Sequence, residues 1–225
     1  MAFEVAACWM DECRITISTI PVHSLLEPFR ALARYFWRLN VNHTKKLSLA
    51  AVVLAFSVSG CETTNSIPYK ASTANVISIQ QSLQAQGKKV SIGSVTLAPG
   101  VEESPLCRLN GPVKVAPGKS LPQYIKDAFQ EELFMAQVYQ TNAPAAIDGR
   151  LEALSFSSVS PASWDITMSV KSNISPGYTV SIKYPFETSW SAYSACKNVA
   201  DAFGPAVQEL LKQVVTHPQI AALAE

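Results

Sequence analysis

Histidine is nearly missing from this chain. Three occur in 225 residues, and after residue 60 only His217 remains, beside Pro218 near the C-terminus. One imidazole is a poor basis for proton relay or for a metal site, and no metal-ligand spacing accompanies it. Charge is also scarce, at 16% of residues with a net of +1. After residue 60 no basic stripe or charge block occurs, which argues against nucleic acid as a partner. Long apolar runs are lacking too. The strongest, Leu47 to Val58, is about 12 residues, against roughly 20 needed to span a bilayer. No Gly-x-Ser-x-Gly nucleophile elbow is present.

The informative stretch starts where that apolar run ends. Lys45-Lys46 precede it, and Val58-Ser59-Gly60-Cys61 follow. A basic pair, a short apolar segment and small residues at the exit make an export signal. With Cys directly after Ser-Gly, the segment resembles the lipobox of bacterial lipoproteins. That resemblance implies cleavage before Cys61, acylation of Cys61 and attachment to a membrane. It further implies the periplasmic leaflet of the outer membrane, because Glu62 stands where an Asp most strongly retains enteric lipoproteins in the inner membrane.

Residues 1–40 come before the signal. They hold Arg30, Arg34 and Arg38, an aromatic run at Tyr35-Phe36-Trp37, and Cys8 and Cys13. They are either a cytoplasmic extension or the result of a start codon placed too early. We favour the second, since Val41-Asn42-His43-Thr44-Lys45-Lys46 is an ordinary signal-peptide opening if Val41 is read as an initiator. The expected organisation is therefore an extension over 1–40 and a signal over 41–60. A tether with a short helix follows over 61–87, and a periplasmic domain over 88–225.

After residue 60 there are 12 Lys+Arg and 13 Asp+Glu, a balance near −1, in a length that suits one core. Cys61 to Lys70 reads as a polar tether, and ten extended residues reach up to about 35 Å. Ser72 or Thr73 can cap a helix running to Gln86, with Val76, Ile79 and Leu83 on one side and Gly87 at its end. Lys88 to Ala98 reads as a strand with a bulge at Gly93-Ser94. Pro99 to Lys119 is a long loop with a short extended piece near Val113-Lys114-Val115.

Ser120-Leu121-Pro122-Gln123 opens a helix with a capping box. Ile125, Ala128, Phe129, Leu133 and Ala136 give it an apolar stripe. Strands follow over Ile147–Ser157 and from Trp164 to Lys171. A third runs from Tyr178 to Trp190, with Pro176-Gly177 as a type II turn before it. Pro185 places this strand at an edge. A last helix spans Ala195 to Thr216, with Gly204-Pro205 predicting a kink. The order predicts an α+β, two-layer sandwich. Its mostly antiparallel sheet has about four strands, and two amphipathic helices cover one face. From Lys88 to Ala222 this order resembles YajG-type envelope lipoproteins. It is looser in its likeness to the first domain of TolB and to the curli secretion lipoprotein. The segments around Cys107-Arg108 and Ala195-Cys196-Lys197 resemble uncharacterised proteobacterial lipoproteins. None of these families supplies an activity.

Four candidate sites have simpler explanations. Gly118-Lys119-Ser120 lacks the first glycine of a phosphate loop, because Val113 occupies that position. Glu102-Glu103 and Glu131-Glu132 could serve glycan hydrolysis but read as solvated charges. Trp164, Trp190, Tyr178, Tyr184 and Phe186 could line a groove but read as core. His217 reads as a solvated or carbonyl-capping group. Cys107 and Cys196 remain, and two unlipidated cysteines in a small exported domain predict a disulfide. No catalytic, cofactor or metal residue is expected. The expected partners are the membrane, through Cys61, and an envelope protein or polymer. The alternatives are an accessory lipoprotein of a transport system that binds an apolar ligand, and a cell-wall hydrolase.

Overall fold

Alternation of apolar and polar residues sets the sheet. In the computed structural model, residues 63–64, 68–108 and 110–224 are described. The expected extension and signal segments, and Cys61, lie outside them. The elements in chain order are β1 (Thr63–Thr64), α1 (Thr73–Ser82), β2 (Val90–Leu97), β3 (Val113–Lys114), α2 (Leu121–Met135), β4 (Ala145–Ser157), β5 (Ser163–Ser172), β6 (Tyr178–Pro185) and α3 (Ala192–Val215). Four strands form one sheet in the order β2-β4-β5-β6, and β1 pairs with β3 separately.

The β5–β6 hairpin is antiparallel, with Trp164 opposite Tyr184 and Met168 opposite Val180. Gly177 closes its turn at φ +75°, and a Cβ there would meet the carbonyl of Val170 at 1.7 Å. β4 and β5 are also antiparallel. β2 joins β4 in parallel, across α2, and its register slips between Ile92 and Val95, at the predicted bulge. The slip is bridged by Asp148, whose Oδ1 accepts from the Ser94 amide at 2.8 Å.

Helices cover one face of this sheet, so the architecture is α+β in two layers as its sequence predicts. Trp164, Phe203, Leu151, Met168 and Leu210 are fully buried between the layers. The indole of Trp164 donates to the Val199 carbonyl at 2.9 Å, fixing α3 on β5. Three helices share the face rather than two. Ile79 and Leu83, at the end of the N-terminal helix, are fully buried, so the packed body begins ahead of residue 88. Ser72 is its N-cap and Gly87, at φ +67°, follows the short 3-10 turn at its end.

Two further differences concern the chain after β5. β6 stops at Pro185, five residues earlier than alternation predicts. Pro185 has no amide to extend the ladder, and the next amide, of Phe186, turns to the Ala162 carbonyl at 3.1 Å. Trp190 is thereby left fully exposed instead of in the core. α3 begins three residues earlier than expected, at a Ser191 cap, and runs through Pro205 without ending. Gly204 leaves room there for the Tyr124 hydroxyl, which would lie 3.1 Å from an added Cβ.

Candidate functional site

Glu132 is the most unusual residue in the fold. It is completely buried, although Glu131 beside it is exposed. The expectation that both are solvated therefore fails for Glu132. Helical spacing explains the error. Glu132 stands seven, four and three residues after Ile125, Ala128 and Phe129, squarely on the apolar stripe of α2.

Burying a carboxylate is costly unless donors surround it. Here they come from the segment that leads into α1. The Tyr69 hydroxyl donates to Oε1 at 2.6 Å, and the Ser72 amide to the same oxygen at 3.2 Å. The Asn75 amide nitrogen reaches both carboxylate oxygens, at 3.0 and 3.1 Å. Asn75 also donates to the Gln208 carbonyl on α3 at 3.0 Å, and Gln208 Nε2 returns a bond to the Lys70 carbonyl at 2.6 Å. Arm, α1, α2 and α3 are thus tied at one point. Among the described residues, no buried side-chain nitrogen or oxygen lacks a partner.

Burial raises the Glu132 pKa above its ordinary 4.5, while the bonds from Tyr69, Ser72 and Asn75 pull it back down. Burial is also the main cause pushing the Tyr69 phenol up, and the Glu132 charge adds to it. Tyr69 stays a neutral donor at any ordinary pH. The carboxylate accepts four hydrogen bonds from internal donors, so its oxygens are committed to the fold. Its chemistry is that of a clasp.

The arm that the clasp holds covers a small cavity of about 180 Å³, lined by Tyr69, Val115, Tyr124, Ala200, Gly204 and Gln208 among others. Upstream, β1 continues the docking by pairing in parallel with β3, Thr63 with Val113 and Thr64 with Lys114. Within the segment expected to hang as a free tether, Thr63, Thr64, Tyr69 and Lys70 are thus bonded to the domain.

The second organised region lies at one end of α3. Cys107 and Cys196, 89 positions apart in sequence, are joined in a disulfide with Cα atoms 5.8 Å apart. Arg108 follows at φ +51°, a left-handed conformation unusual for any residue other than glycine. Its guanidinium donates to Ser158, to the hydroxyl at 3.0 Å and to the carbonyl at 2.6 Å. Thr188 donates to the same carbonyl at 2.5 Å. The disulfide, Arg108 and Thr188 therefore fasten three loops and the start of α3 together.

No family model and no curated relative matches the sequence. Similar solved structures include one bacterial protein. It is a Xanthomonas campestris protein of the DUF330 family, 11% identical, with a TM-score of 0.43 over 72% of this chain and 98% of that one.

The remaining candidate residues are scattered. Glu102 and Glu103 are exposed in their loop. His217 stacks on Tyr178 with ring centres 3.8 Å apart, and its Nδ1 accepts the Gln219 amide at 3.2 Å. Lys119 pairs with Asp127 at the start of α2. Trp164 is core, while Tyr184 and Phe186 are half-buried. The open face of the sheet carries a polar depression of about 400 Å³ flanked by Ser94, Asp148, Arg150 and Lys171. Among the described residues, no group of His, Cys, Asp and Glu is placed to hold a metal, and no helix is long and apolar enough to cross a membrane.

Proposed function

We propose that this chain is a bacterial lipoprotein, acylated at Cys61 and held on the periplasmic face of the outer membrane. Its α+β domain serves as a non-enzymatic module that binds an envelope protein or polymer. The observation that carries this reading is the order Lys45-Lys46, short apolar run, Val58-Ser59-Gly60-Cys61. The disulfide between Cys107 and Cys196 supports it, because such bonds persist in oxidising compartments. Binding to a partner surface ranks ahead of carrying an apolar ligand. Ligand pockets run from about 300 Å³ upward, and the cavity beside the arm is about 180 Å³.

Metabolic labelling with palmitate tests the anchor. Wild-type protein should take up label and fractionate with outer membranes, and Cys61→Ala should do neither. Label retained by Cys61→Ala would reject Cys61 as the site.

A further inference from the structure

The distance between the anchor and the fold is short. Thr63 already pairs with Val113, and Cys61 precedes it by two residues. Two extended residues span no more than about 7 Å. Val113 in turn donates its amide to the Pro105 carbonyl at 3.1 Å, and Leu106 forms a bridge with Pro112. Thr63 is therefore a neighbour of the loop that carries Leu106 and Cys107.

The course of the arm leads to the same place. Asn75 meets Gln208, while Tyr69 lines a cavity with Ala200 and Gly204. Arm and α3 thus run in the same direction, and the earlier arm residues lie toward the N-terminal end of α3. An acyl group on Cys61 enters a bilayer at that end of the domain.

Of the eight large apolar side chains that stand exposed among the described residues, four, including the most exposed, are at that end. Leu106 is 69% exposed, Val159 65%, Tyr193 68% and Trp190 fully. All four belong to the fastened loops or to the first turn of α3. Leu106 adjoins Cys107, and Tyr193 lies one turn before Cys196. Val159 adjoins Ser158, and Trp190 follows Thr188 by two residues. Exposed apolar groups gathered in one region mark an interaction surface. Trp and Tyr are the side chains that settle at the headgroup level of a bilayer. With the anchor within about 7 Å of Thr63, the nearest apolar phase is the bilayer itself.

We propose that this end is a membrane-docking face, on which Leu106, Val159, Trp190 and Tyr193 enter the interface of the leaflet that holds the acyl chains. The domain then lies on the membrane in a fixed orientation. Several acyl chains already hold the protein firmly, so these side chains orient it rather than retain it. The proposal rests on acylation of Cys61.

The test uses the only two tryptophans that follow Cys61, Trp164 and Trp190. Trp164 is fully buried and Trp190 fully exposed. The mature lipoprotein is reconstituted into vesicles of phosphatidylethanolamine and phosphatidylglycerol with brominated acyl chains. Trp190 emission should move to the blue and be quenched, and Trp190→Phe should remove the quenched component while leaving that of Trp164. Leu106→Ser combined with Val159→Ser should reduce the quenching. Palmitate on Cys61 with Trp190 unquenched and open to acrylamide overturns docking and leaves the lipoprotein reading standing. Absence of palmitate on Cys61 overturns both.

Discussion

Replacing Glu132 by leucine and by glutamine should give proteins of different stability. Leucine has nearly the same volume but no acceptor. It strands the Tyr69 hydroxyl and the Ser72 amide, and leaves Asn75 only its bond to the Gln208 carbonyl. Each unsatisfied buried donor costs about 1–3 kcal/mol. The arm can lift away and recover water, so the expected total is about 2–5 kcal/mol. For a domain of this size that corresponds to a fall in melting temperature of about 5–15 °C. Glutamine is different because three of the four bonds end on Oε1. Its amide oxygen can take that place, but its nitrogen, a donor, then faces the Asn75 nitrogen at 3.1 Å instead of accepting from it. The glutamine variant should lose less than the leucine variant, about 1–3 kcal/mol. The pH dependence follows from the raised Glu132 pKa. Above that pKa the charge is buried in the folded chain and costs stability; below 4.5 the group is neutral in both states and the cost is gone. Relative to Glu132→Gln, the wild type should therefore gain stability as the pH falls toward 4.5. Urea denaturation of the three proteins, with limited proteolysis across residues 65–72, is the assay. A leucine variant as stable as wild type with an equally protected arm would refute the clasp.

Four other substitutions probe separate parts of the structure. Cys107→Ser and Cys196→Ser should each destabilise by up to about 4–5 kcal/mol, since the bond closes a loop of 89 residues, and the double variant should be no worse than either single. Two free thiols in unreduced, denatured protein taken from the periplasm would rule the bond out. Gly177→Ala, measured by thermal melting, should cost about 3 kcal/mol, from a positive φ and an added Cβ 1.7 Å from the Val170 oxygen. Gly204→Ala should be far milder, because its nearest neighbour is the Tyr124 hydroxyl at 3.1 Å. A larger loss at Gly204 than at Gly177 would contradict this ordering.

Periodicity made most of the layers legible. The alternation from Trp164 to Val170, the turn at Pro176-Gly177 and the stripes of α2 and α3 all report which face is buried. The parallel pairing of β2 with β4 was not legible, because strand direction leaves no local pattern. Trp190 was misplaced because alternation was extended past Pro185, where the missing amide ends the ladder. The clasp was half-legible. Glu132 falls on an apolar stripe, and Asn75 precedes Ile79 by one helical turn, so both positions marked polar groups destined for the interior. The identity of their partner was hidden, since 57 residues separate Asn75 from Glu132 and 133 separate it from Gln208.

Those separations bear on the order of maturation. Export of the proposed lipoprotein proceeds from the N-terminal end, so the arm emerges well before the helices that receive it. Until Glu132 and Gln208 have followed, Tyr69 and Asn75 have nothing to grip, and the segment after Cys61 is a loose leash. The enzymes that acylate and cut at this cysteine would meet it in that interval. Once α3 is in place Tyr69 and Asn75 are gripped, and in the proposed lipoprotein the anchored cysteine then stands only two residues from the paired Thr63.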